Sequence, residues 1–254
     1  MFFGGTTSTG LSNELWMLSP PLAPTGPQFS SSNVVNAFSS QLGAVTPGEI
    51  VSIFGRGLGP QDGIAFSFDP ATGALPSSAP GLQVTWNGIP APLYYAREDQ
   101  LNVQVPYELN GVSQATLSVT VNGTANSLTN LPVAATAPGL AGVVFNADST
   151  GNGPSNPAAR GSLVVLFATG EGITVPAART GALSIGGPAE PVLPVSVSIG
   201  GLPSEVVFRG RVAGTAGVLQ LNARVPDAAV PGDRVAVVLS VGDRESSPIN
   251  IAVN

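Results

Sequence analysis

The side chains of this chain that are able to do chemistry are few in kind. There are 15 carboxylates and 9 basic residues, all of the latter arginine, while histidine, cysteine and lysine are absent. Thiolate nucleophiles, imidazole bases, Schiff-base lysines and phosphate-loop lysines are excluded together. Zinc bound by its usual nitrogen and sulfur ligands goes with them. What remains is carboxylate-pair chemistry and cations held by oxygen. Two carboxylates meet at Glu98-Asp99, but neighbours on an extended chain point to opposite sides and cannot flank one bond. Asp148, with Asn152 and Asn156 in a Gly-rich run, offers calcium a single firm carboxylate. The residue types and spacing therefore assign no catalytic residue, no metal and no cofactor.

Binding is the chemistry left. Aromatics on an open sheet face stack on sugar rings, and Trp86, Tyr94 and Tyr95 are the aromatics to weigh for that role. Trp86 shares the parity of Leu82 and Val84, which assigns it to a core, and parity requires only one of Tyr94 and Tyr95 to face outward. Asn102 and Asn222 set amides in otherwise apolar strands, where they either meet a ligand or bond a neighbouring backbone. Tyr94, Tyr95, Asn102 and Asn222 are thus the candidate ligand-binding residues. Gly57-x-Gly59 and Gly170-x-Gly172 have the composition of anion loops. Such loops need a following helix whose amino terminus faces the anion. Pro60 and Gly63 follow the first and Val175-Pro176 the second, so both read as turns.

The elements that would position these residues occur twice. Phe54, Gly57 and Gly59 recur as Phe167, Gly170 and Gly172, an offset of 113. Gln100-Leu101-Asn102, Val105 and Pro106 recur as Gln220-Leu221-Asn222, Val225 and Pro226, an offset of 120. One insertion of 7 residues near Arg211–Gly217 reconciles the two registers. Apolar positions stay in step: Leu82, Val84 and Trp86 map onto Val195, Val197 and Ile199, and Leu117, Val119 and Val121 onto Val237, Leu239 and Val241. A slip of one residue would turn every one of these faces over. The 32 glycines and 24 prolines punctuate the chain every 8 to 12 residues, and no window carries a helical period. Short strands at that interval indicate a sandwich or barrel, and at roughly 105 to 115 residues per copy two sandwiches in tandem is the reading. The fold expected is all-β: two tandem immunoglobulin-like β-sandwich domains behind an extended amino-terminal segment. The divisions are 1–33, 34–136 and 137–254.

The run Val45-Thr46-Pro47-Gly48-Glu49-Ile50-Val51-Ser52-Ile53-Phe54-Gly55-Arg56-Gly57-Leu58-Gly59-Pro60 resembles the opening strand and loop of IPT/TIG domains. Ala91–Tyr95, Gln100–Pro106, Asn156–Gly161 and Phe167–Gly172 are similar to a family of uncharacterised carboxy-terminal regions in large secreted proteins of soil bacteria. That likeness spans roughly residues 34–254. It implies a secreted tail of two modules and brings no catalytic residues. Residues 1–18, with Gly4-Gly5 and Asn13-Glu14-Leu15-Trp16, resemble the end of a kelch propeller blade, and residues 19–33 read as a Pro/Ser linker.

Charge excludes further partners. At a net charge of −6 with no basic stripe, the chain is not expected to bind nucleic acid or an anionic membrane surface. No apolar run approaches the roughly 20 residues of a membrane helix, so no membrane insertion is expected. The amino terminus lacks the basic start and apolar stretch of a signal peptide, so the chain is expected to be either cytosolic or, the reading favoured here, the tail of something longer. The function expected is a non-catalytic extracellular or cell-surface module serving as a stalk, spacer or adhesion tail; the alternative is a carbohydrate-binding module attached to a secreted enzyme. A polysaccharide or cell-surface partner, and self-association through sheet edges, are the interactions this implies.

Overall fold

A computed structural model describes residues 6–7, 10–11, 26–184 and 187–254. The kelch-like stretch lies almost wholly outside them; of it, only the pairing of Thr6–Thr7 with Gly10–Leu11 is described.

Period-two apolar patterns become strands with one face in a core. In the first half these are β1 (Val34–Asn36), β2 (Ile50–Phe54), β3 (Leu82–Trp86), β4 (Leu93–Arg97), β5 (Gln100–Gln104), β6 (Gln114–Val121) and β7 (Thr124–Pro132). In the second they are β8 (Leu163–Thr169), β9 (Val195–Ile199), β10 (Val206–Arg211), β11 (Leu219–Arg224), β12 (Gly232–Val241) and β13 (Ile249–Val253). The order β1-β2-β5-β4 forms one antiparallel sheet of the first half, and β7-β6-β3 forms the other. The second half repeats this with β8-β11-β10 in one sheet, and β9 and β13 flanking β12 in the other. Among the described residues the only helical pieces are the single turns Ser31–Asn33 and Tyr107–Leu109.

Each half closes on its own core. Val51, Ile53, Leu101 and Val103 of one sheet meet Val84, Trp86, Leu117 and Val119 of the other. Val164, Leu166, Leu221 and Ala223 likewise meet Val197, Ile199, Val237 and Leu239. Two facing antiparallel sheets on a chain of this length make each half an immunoglobulin-like sandwich.

The duplication extends to individual pairings. Phe54 faces Gln100 across β2–β5, as Phe167 faces Gln220 across β8–β11. Trp86 faces Leu117 as Ile199 faces Val237. Gly48 N donates to Val105 O at 2.9 Å and Gly161 N to Val225 O at 2.8 Å. A β-bulge also recurs at one place, falling between Asn102 and Val103 opposite β4 and between Val206 and Phe208 opposite β11. In both modules the opening segment runs parallel to the closing one, at Val45–Val133 and at Ala158–Val253.

Two hairpins turn where Asn-Gly pairs stand. Asn87 and Gly88 have φ of 50° and 80°, and Asn122 and Gly123 have 48° and 82°, the paired positive values that match strand twist. Unlike the continuously buried strand its apolar sequence indicates, β8 alternates: Val164 and Leu166 are buried while Leu163, Val165 and Phe167 are half-buried on the outer face.

Trp86 is fully buried at the centre of the first core. Trp86→Ala is expected to cost about 3–5 kcal/mol, read from the urea midpoint of the purified chain; a loss under about 1 kcal/mol would contradict this core assignment.

Candidate functional site

The bulge on β4 decides where the paired tyrosines go. Extra residues in a bulge re-aim side chains, and Tyr94 is the residue left over between Leu93 and Tyr95 in the pairing with β5. Its hydroxyl donates to Ala216 O of the second module. Tyr95 turns the other way, and a Cβ built on Gly63 would stand 2.5 Å from its phenolic oxygen. Both rings are half-buried, so simple parity does not hold here: the bulge cancels the alternation that parity assumes.

Asn102 and Asn222 make the same bond in both copies. Gln100 Nε2 donates to Asn102 Oδ1, and Gln220 Nε2 to Asn222 Oδ1, each at 2.9 Å. Asn102 also accepts from Ser52 Oγ at 2.9 Å. These four candidate residues therefore do not converge: Tyr94 points to the second module, Tyr95 to the Gly63 loop, and the two asparagines stand on separate sheets. Trp86 is core. Asn152 and Asn156 spend their amides within the 146–156 loop and on Ala252. No cluster of three acidic residues able to hold a metal occurs among the described residues. The Gly-x-Gly loops serve close approach: a Cβ on Gly170 would lie 2.1 Å from Ala137 O, and one on Gly172 would lie 2.2 Å from Ala135 O.

What the structure does bring together is a polar junction between the modules. The connecting segment has no slack. Ala134 N donates to Val45 O and Ala137 N to Gly170 O, both at 2.9 Å, and Thr136 Oγ1 donates to Val241 O at 2.9 Å. Thr169 Oγ1 accepts from Ile50 N at 2.9 Å and donates to Gly217 O at 2.8 Å, tying an edge of β2 to the second module. Gln104 does similar work, donating to Gly48 O at 3.1 Å and accepting from Gly181 N at 2.7 Å. Backbone pairs directly across the boundary where Leu75 N donates to Gly181 O and Leu183 N to Gly73 O.

The inserted residues lie at the centre of this contact. In the first module β4 and β5 are joined by Glu98-Asp99, whereas Val212–Val218 joins β10 to β11. Ala216 and Gly217 of that longer loop seat against Tyr94, Gly48 and Gln104, and a Cβ on Gly217 would fall 2.4 Å from Gly48 O and 2.8 Å from Gln104 Nε2. Sequence reasoning located the insertion but not its role, because a one-dimensional offset carries no information on what the extra loop touches.

Five ionisable groups face one another there: Glu49, Tyr94 and Tyr107 from the first module, and Glu171 and Arg211 from the second. Glu49 is 2% exposed, accepting from Asn36 Nδ2 at 2.9 Å and Thr46 N at 2.8 Å. Burial pushes its carboxyl up to about 8, against the pull of those two donors, with the Glu171 charge adding to the rise. Burial pushes Glu171 up to about 7, opposed by the backbone N–H groups of Glu171 and Gly170 and by Arg211. No side chain donates to either Glu171 oxygen, and the Arg211 guanidinium stands 5.6 Å from the Tyr107 ring centroid. Burial raises both phenols as well. A cleft of about 240 Å³ between Asn36 and Leu42 on one side and Arg244 on the other opens beside Glu49.

A carboxyl whose folded pKa exceeds its unfolded value keeps a proton that the unfolded chain loses, so stability falls as pH rises between the two values. For Glu49 the window runs from the model-compound value of 4.5 to about 8. Unfolding free energy is expected to drop across it by up to about 1.4 kcal/mol per pH unit for each such carboxyl, with a shallower slope in Glu49→Gln; equal slopes in the two proteins would refute the assignment. Gly217→Val places a side chain on the Gly48 carbonyl at φ 64°. It should loosen the junction and expose the 134–138 segment to protease, and an unchanged digestion rate would count against the contact.

No protein-family model and no curated protein matches the chain. Among solved structures it is similar to the I9 to I11 tandem from titin, at 10% identity and a TM-score of 0.22 over 87% of this chain. It is also similar to a pair of titin Ig tandem domains, at 14% identity and a TM-score of 0.22 over 83% of this chain. The chain spans 66% of the length of the first and 91% of the second.

Proposed function

We propose that this chain is a non-catalytic, rigid pair of immunoglobulin-like modules that serves as a spacer or adhesion tail of a larger secreted or surface protein. The modules are taken as residues 34–136 and 137–254. The observation that carries the reading is the junction. Two sandwiches joined by a free linker would move independently. Here the linker residues are hydrogen-bonded, backbone pairs with backbone across the boundary, and a dedicated loop fills the corner. A spacer needs such stiffness, whereas an enzyme needs a cleft with convergent reactive groups.

The extracellular setting rests on the resemblance of residues 34–254 to carboxy-terminal IPT/TIG-like regions of secreted soil-bacterial proteins. No helix among the described residues is long and apolar enough to cross a membrane.

Urea unfolding followed by circular dichroism and by tryptophan fluorescence tests the rigid pair. In a Trp16→Phe background, Trp86 in the first core reports one module, while the far-ultraviolet signal reports both. Coincident transitions are expected; two separated transitions would dismiss the single-unit reading. Incubation of the purified chain with glycosidic and ester substrates should give no turnover, and hydrolysis abolished by one carboxylate substitution would overturn the non-catalytic reading.

A further inference from the structure

The corner that docks in the second module has an open counterpart in the first. Phe167 is half-buried and meets Phe145 edge-on, with ring centroids 6.2 Å apart. Its equivalent, Phe54, is 40% exposed and forms no aromatic pair among the described residues. Thr169 of the junction is replaced by Arg56, whose side chain is exposed. In place of the inserted loop stands the short turn Glu98-Asp99. The position that in one copy is closed by Phe145 at its ring and by the first module at Thr169 carries an exposed ring and planar polar groups in the other.

Two adjoining surface depressions, both wide open to solvent, share Arg56 and Asp99. Phe54 lines one of them, and Gln61, Arg97 and Glu98 line the other. Arg97 and Asp99 are locked to each other by two bonds, Nε to Oδ1 at 2.5 Å and Nη2 to Oδ2 at 2.8 Å, and that pairing holds the Asp99 carboxyl below the ordinary range. Arg56 forms no salt bridge among the described residues.

The backbone beneath is fixed. Arg56 N donates to Gln28 O at 2.9 Å and Gln28 N to Arg56 O at 2.8 Å. Gly55 N donates to Asp99 O at 3.0 Å and Leu58 N to Glu98 O at 2.9 Å. A surface already ordered loses little entropy when it binds.

We infer that this corner is a binding site for a neutral, hydroxyl-rich glycan chain. An exposed aromatic face suits the apolar face of a sugar ring, and planar guanidinium, carboxylate and amide groups suit vicinal hydroxyls. Two guanidinium groups and two carboxylates balance, so the site selects neither an anionic nor a cationic polymer. Adjoining depressions suit linked rings over a single one. The site differs from one built on Tyr94, which the junction occupies, and it does not depend on the rigidity of the tandem.

Isothermal titration of the full chain with neutral hexasaccharides of β-1,4-linked glucose, xylose and mannose, and with an acidic hexagalacturonate, tests this. At least one neutral hexasaccharide should bind, and Phe54→Ala and Arg56→Ala should each weaken it about tenfold or more. Arg56→Ala alters only an exposed side chain and guards against misfolding of the Phe54 variant. Thr169→Val, at the junction, should leave the affinity unchanged. No binding of any neutral chain, binding of the acidic chain alone, or affinity that survives both corner substitutions would overturn the inference. Coincident unfolding transitions without glycan binding would sink this site and leave the rigid-pair reading standing.

Discussion

The hydroxyl of Thr169 is the pivot on which the arrangement of the two modules turns. It stands at the end of β8, buried, with a backbone donor of the first module on one side and a carbonyl of the inserted loop on the other. At the matching position the first module has a solvent-exposed arginine, whose guanidinium has no acceptor and so cannot take the backbone N–H that the threonine hydroxyl accepts. One substitution between otherwise parallel copies thus separates a docking corner from an open one. The seven inserted residues complete the difference by supplying the carbonyl oxygens of Ala216 and Gly217.

The junction is built of polar groups rather than of grease, and this sets its character. Glu49 and Glu171 are buried with raised pKa values, and Arg211 is buried beside them. Buried charge is poor stabilising material, since desolvation offsets much of the attraction. The hydrogen bonds of Thr169, Gln104 and Glu49 specify geometry instead, because each is satisfied in few arrangements. A contact that must hold two sandwiches at one angle gains from that selectivity. The same chemistry makes the contact responsive to proton concentration in a way an apolar interface is not.

The sandwiches themselves were largely legible in the sequence. Alternation along β3, β6, β9 and β12 named the core residues, and the Asn-Gly pairs named two hairpins, because both signals are local and depend on strand period and positive φ alone. The duplication even carried the strand partners, since Phe54–Gln100 and Phe167–Gln220 are the residues whose repetition defined the offsets. The candidate site was not legible to the same degree. Tyr94 stood out as an aromatic on a presumed open face, but a bulge, invisible to a period-two pattern, turned it into the junction. Glu49 and Glu171 were not singled out, because burial between modules is a property of the assembled pair. Phe54 stood out only as a repeated position, and a linear repeat does not show that its copy Phe167 meets Phe145 while Phe54 is left 40% exposed.

Residual dipolar couplings measured on the backbone amides of both modules, in one weakly aligned sample, test most directly whether the junction makes them one body. A single alignment tensor fitting the couplings of residues 34–136 and 137–254 together is the predicted result. Two tensors of different magnitude or orientation would mean that the modules move independently, and the account built on the Thr169 bridge and the inserted loop would be wrong.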